Sequence, residues 1–214
     1  MVYHYLDIRL LIISNSIRDV LLQCWQCAND TAEKEFGRFH PWTISNFINR
    51  THMRLLDDQE EELVLSKFLL EIDRLPAGKE KAAARAKILF NLGNCLEYLH
   101  RYDEEEIVAL ELAAYGRSTG SLIEELKGVV LLGPAQAKLG KNELAEANFR
   151  RSITIVETEK TLGPRSPWVI QQMGRLEEFL RNIGREQDAD IVRAEINTCL
   201  NDHDVDAELE EITE

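Results

Sequence analysis

The sequence predicts an all-α fold, a solenoid of about five stacked helix pairs with the first pair truncated, and three observations carry that reading. The segment Glu33-Lys34-Glu35-Phe36-Gly37-Arg38-Phe39-His40-Pro41-Trp42-Thr43-Ile44 is echoed by Glu159-Lys160-Thr161-Leu162-Gly163-Pro164-Arg165-Ser166-Pro167-Trp168-Val169-Ile170. The spacing is 126 residues, three periods of 42. Turn-like segments begin at Asp58, His100, Gly140 and Gly184, spaced by 42, 40 and 44 residues. Apolar residues recur with helical periodicity on both sides of those turns: Ile88, Leu89, Leu92, Leu96 and Leu99 before one, Ala145, Ala147, Phe149, Ile153 and Ile155 after another.

Taken in order, the units span 1–41, 42–83, 84–125, 126–167 and 168–200, and an acidic tail occupies 201–214. Register places the first turn at Ser14-Asn15, which leaves residues 3–13 for a first helix made largely of Tyr3, Tyr5, Leu6, Ile8, Leu10, Leu11, Ile12 and Ile13. An apolar, uncapped solenoid end invites a partner, either a second copy or further units. Tyr5, Leu6, Leu10 and Ile13 are the candidate oligomer interface. Gly37 and Gly163 are suited to end second helices, and Pro41 and Pro167 to open the next ones at the first turn, where a missing amide costs nothing. Asp58, His100, Gly140 and Gly184 belong to the residues that tolerate a left-handed helix end. Ser121-Leu122-Ile123-Glu124 reads as a capping box, and Gly133-Pro134 falls inside a helix, where proline removes one hydrogen bond and kinks the chain at about 3 kcal/mol.

The net charge is −13, and with no run of basic residues the chain is a poor ligand for nucleic acid or an anionic membrane. The tail carries seven acidic groups and neither Lys nor Arg, and reads as a solvated, frayed end. Leu10-Leu11-Ile12-Ile13 is too short to span a bilayer and lacks a cleavage signal. Four cysteines in no secreted-framework spacing fit an intracellular, cytoplasmic setting. Cys24-Trp25-Gln26-Cys27 has redox or half-zinc spacing, but without a second pair it reads as buried packing on a second helix, with no metal or other cofactor expected. The acidic clusters at 57–62 and 103–106 begin second helices, where the macrodipole favours negative charge. No nucleophile triad, phosphate loop or paired metal carboxylates can be located.

The motifs Leu92-Gly93, Leu132-Gly133, Leu139-Gly140-Lys141 followed by Ala145-Glu146, Gly184-Arg185 followed by Ala189-Asp190, and Leu162-Gly163 followed by Pro167 resemble a tetratricopeptide-repeat array. The long-period repeats of kinesin light chains are the most similar kind. The resemblance covers nearly the whole chain and implies a right-handed solenoid whose first helices line a concave groove. Carried over by register, it makes His52, Lys87, Phe90, Asn94, Glu97, Tyr98, Lys127, Pro134 and Lys138 the groove candidates, flanked by Ser45, Ile48, Leu55, Leu56, Val130, Gln171, Gly174 and Glu178. Lys87 and Lys127, equivalent in successive units, would set two cations near an acidic peptide or carboxylate. The paired asparagines of kinesin light chain units survive only as Asn49 and Asn91, so that family's cargo recognition does not carry over. The expected function is a scaffold that binds a protein or peptide in the groove. A small-molecule receptor or enzyme using a groove pocket, and a homo-oligomer formed through the N-terminal end, are the alternatives.

Overall fold

The computed structural model describes residues 15–38, 43, 44, 58–159 and 166–213, and among these the side chains of all but 15–22, Trp25, Phe36 and 201–213. Every element among the described residues is helical: α1 (Asn15–Phe36), α2 (Asp58–Asp73), α3 (Lys79–Tyr98), α4 (Tyr102–Thr119), α5 (Leu122–Lys138), α6 (Asn142–Thr158), α7 (Pro167–Asn182) and α8 (Glu186–Thr213). The chain divides into two compact units, Met1–Arg85 and Ala86–Glu214.

In the first unit Gly37 ends α1 with a φ of 89° and its amide donates to the Glu33 carbonyl at 2.9 Å, as its position in the linker predicts. Arg38 lies over the Phe68 ring, 5.6 Å from its centroid, and bonds Glu71 at 2.6 Å. At the C-terminal end of α2 the Lys81 ammonium donates to the carbonyl of Asp73, the last helical residue, at 2.6 Å and to that of Leu75, just beyond it, at 2.9 Å. This is the basic C-terminal capping that orphan helical carbonyls favour. Asp58 departs from its expected turn: it lies within α2. Burial explains the shift, since Leu65 and Ile72 are fully buried and stand 40 residues before Glu105 and Leu112. A spacing of 42 would place there Leu63 and Leu70, which are exposed.

In the second unit four helix ends share one geometry. His100 at φ 58°, Gly120 at 68°, Gly140 at 72° and Gly184 at 78° each hold the left-handed position. The next amide reaches back five residues, Arg101 to Leu96 at 2.9 Å, Ser121 to Gly116 at 2.9 Å, Lys141 to Gln136 at 2.8 Å and Arg185 to Leu180 at 2.9 Å. These are Schellman ends, and they satisfy carbonyls that would otherwise be orphaned. The hydroxyl of Ser121 accepts from the Glu124 amide at 3.3 Å, so half of the expected capping box forms. Its reciprocal half is pre-empted because the Ser121 amide is already given to Gly116. Pro167 opens α7 as expected. Pro134 is carried inside α5, which runs on to Lys138.

Helices α4 and α5 meet backbone to backbone. A Cβ on Gly116 would stand 2.1 Å from the Glu125 nitrogen, and one on Gly128 would stand 2.4 Å from the Ala113 nitrogen. Further along, Phe149 and Phe179 pack at 5.2 Å between centroids in a core that includes Val156, Val169, Leu176, Leu180, Val192 and Ile196. The tail expected to fray is helical instead, since α8 extends to Thr213. No Gly or Pro interrupts the sequence from 186 to 213.

Candidate functional site

The face predicted from register is carried by the second half of α3, by α5 and by α7. Residues 91–100 and 131–140 bury and expose side chains in the same order, position for position. Lys87, Phe90, Asn94 and Glu97 are half-buried and Tyr98 is 55% exposed. On α5, Lys127, Val130 and Pro134 are half-buried and Lys138 is exposed, while α7 presents exposed Gln171 and Glu178 beside half-buried Gly174. The faces of α3 and α5 adjoin: the Lys127 ammonium is 6.0 Å from the Phe90 ring centroid. A Cβ on Gly93 would lie 2.5 Å from the Leu131 side chain. His52 lies outside the described residues, as do Ser45, Ile48, Leu55, Leu56 and the interface candidates Tyr5, Leu6, Leu10 and Ile13. The same holds for Ser14, Pro41, Trp42 and Gly163.

Two of the groove's polar groups are engaged within their own helices. The Lys127 ammonium bonds Glu124 at 2.8 Å, and the Asn94 amide donates to the Phe90 carbonyl at 2.9 Å. The pair of cations expected from Lys87 and Lys127 is therefore reduced by an internal carboxylate at the second site. The face is a mixed surface of aromatic, aliphatic and amide groups.

Behind this face lie polar groups that the sequence reading missed. Glu106 accepts from Gln136 at 3.1 Å and pairs with Lys141, while Asn148 donates to Gln136 at 2.8 Å. One hairpin on, Glu146 pairs with Arg185. Glu106 and Glu146 are 40 residues apart and Lys141 and Arg185 are 44 apart, so one clasp joins successive hairpins at the same register. The bonds from Lys141 and Gln136 hold the Glu106 carboxyl below the usual carboxylate range.

Among the described residues three glutamates are buried outright. Glu125, 5% exposed, receives a two-pronged bond from Arg151 at 3.0 and 2.8 Å, with Arg117 at 3.8 Å, and its carboxyl is held below the ordinary range by the Arg151 bonds. Glu177, 3% exposed, is bound by Arg181 at 3.0 Å and Arg193 at 2.6 Å. Glu105 is 0% exposed, and neither of its oxygens has a hydrogen-bond partner. Burial, and secondarily the like charge of Glu97, pushes its carboxyl up to about 8. The sequence reading placed Glu105 in an acidic cluster that begins a second helix and is explained by the macrodipole. The signal that could have found it is register, because the equivalent residues of the following hairpins are Ala145 and Ala189, both 0% exposed.

Cys24 and Cys27 are exposed, contrary to the buried packing expected of them. Among the described side chains of α1 Ala32 is the buried one, whereas Cys27 borders an open hollow of about 420 Å³ with Gln23, Gln26, Asp30, Thr31 and Lys34. None of the described groove candidates borders that hollow. Among the described residues no group of three or more His, Cys, Asp or Glu side chains is placed to hold a metal ion. Likewise, no described helix is long and apolar enough to cross a membrane. Compared with known proteins, the chain matches no family model and no curated sequence.

Proposed function

We propose that this chain is a non-catalytic interaction module of tetratricopeptide-repeat type, a right-handed solenoid that binds a peptide or a partner helix along the face of α3, α5 and α7. The observation that carries this reading is the shared register of that face, in which Phe90, Asn94 and Tyr98 of α3 recur as Val130, Pro134 and Lys138 of α5 with the same order of burial. The recurring clasp, Glu106 with Lys141 and Glu146 with Arg185, supports it independently. Lys127 and Asn94 are bonded within their own helices, which suits them to shape a docking surface rather than to shuttle protons. An amphipathic helix or extended peptide laid along such a face would take its affinity from apolar contact with Phe90, Val130 and Pro134 and its register from the flanking amides and lysines.

Selection of displayed random peptides against the full chain tests this reading. Peptides recovered on the wild-type protein should lose at least about tenfold in affinity on Asn94→Arg, which crowds and charges the centre of the face. Ile107→Glu, on an α4 side chain that is 66% exposed and outside that face, should leave binding unchanged. Binding that survives Asn94→Arg but is lost in Ile107→Glu would refute the assignment.

A further inference from the structure

The first turn of α4 contains the feature that the proposed binding role does not use. Glu105 is fully buried with both carboxyl oxygens unbonded, at a position that α6 and α8 fill with Ala145 and Ala189. A buried carboxyl without partners is tolerable when neutral and very costly when ionised. The nearby cations are already committed. Arg101 holds Glu104 through two bonds of 2.6 Å, and Lys141 holds Glu106. From α3 the charged group that acts on Glu105 is Glu97, which carries the same sign, and the buried thiol of that helix is Cys95. Of the buried residues of α5 the one ionisable side chain is Glu125, bound by Arg151 and Arg117. At the turn itself His100 and Tyr102 bond each other at 2.8 Å.

Position decides what ionisation does. The Glu105 amide donates to the Arg101 carbonyl at 3.0 Å, so the residue belongs to the opening turn of a helix that begins at Tyr102. Helix ends open at far lower cost than helix middles. Exposing Glu105 therefore requires only that this turn unwind, with α5 still seated on Gly116.

We propose that Glu105 is a proton-operated latch: its neutral acid lets the first turn of α4 close onto α3 and α5, and loss of that proton opens the turn. The direction in pH follows from linkage. The closed state binds its proton up to about 8, whereas an exposed glutamate releases it near 4.3, so opening grows as pH rises between those values and levels off above the upper one.

Hydrogen exchange of the intact chain, followed by mass spectrometry from pH 5.5 to pH 7.5 and divided by the intrinsic exchange rate, tests the latch. In the wild type, protection of the amides from Glu106 to Ala109 should fall at least about tenfold across that window. Protection at the corresponding turn of α6, Glu146 to Phe149, should stay level. Glu105→Met should remove the pH dependence, and Glu105→Gln, which keeps a polar group in place but cannot ionise, should remove it too. Equal pH dependence in the wild type and both variants, or an equal fall in α6, would overturn the proposal.

Discussion

Helices α4 and α5 each bury a glutamate, and the two side chains have opposite electrostatic fates. Glu125 is enclosed almost as fully as Glu105, yet Arg151 crosses from α6 to bond both of its oxygens, and the carboxyl is held ionised. No described side chain crosses to bond Glu105, and burial holds its carboxyl neutral up to about 8. Burial alone therefore does not determine what a carboxylate does in this fold. The reach of a cation from the neighbouring hairpin does, and that reach is set by register. One seam is an electrostatic fastener, and the other is held by a proton.

The comparison can be broken at several points. The largest effect is expected where α4 and α5 touch through backbone. Gly128→Leu must drive the Ala113 backbone away, costing about 3 kcal/mol in denaturant-measured stability and disturbing both seams at once. Arg151→Met should cost about 2 kcal/mol, because Glu125 stays buried with only Arg117 at 3.8 Å to take over. The sign of its pH dependence is also fixed. The stability that Glu125 confers through its lowered carboxyl is present above the unfolded value of about 4.3 and lost as pH falls through the folded one, so the variant should lack that acid limb.

Glu105→Met should do the reverse and stabilise the chain by about 1–2 kcal/mol at pH 8, since an unsatisfied buried group is replaced by an apolar one of similar size. That gain should shrink as pH falls from 8 and reach its minimum below about 4.3, where the wild-type acid is neutral in folded and unfolded chains alike. The smallest effect belongs to the clasp. Lys141→Ala should cost about 0.5–1 kcal/mol, because its ammonium is 43% exposed and Glu106 retains Gln136.

The parts of this architecture that were legible in the sequence are those fixed by local backbone chemistry. His100, Gly140, Gly184, Gly37, Pro167 and Ser121 end or open helices as their residue types require. Gly120 does the same and went unrecognised, although Thr119-Gly120 directly precedes the capping box. Asp58 shows the limit of turn-based alignment. Its residue type suits a turn, but the buried faces of α2 set a different register. The side chains of the proposed binding face were reachable because 3.6-residue periodicity transmits from helix to helix. Glu105 and Glu125 were not, because first-turn acids are ordinarily explained by the macrodipole, and Glu177, in the body of α7, carries no local signal of its arginine partners. Whether such an acid meets solvent, an arginine or neither is a tertiary fact. Cys24 and Cys27 show the same limit: residue type favours burial, but both side chains are exposed.

The comparison between the two glutamates is tested most directly by their own titration curves. Carboxyl carbon chemical shifts of Glu105 and Glu125 should be followed by NMR from pH 3 to pH 9, each resonance assigned by its Glu→Gln variant. Glu105 should change protonation near 8, and Glu125 below the ordinary carboxylate range. Two curves with a common midpoint near 4.3 would contradict the account.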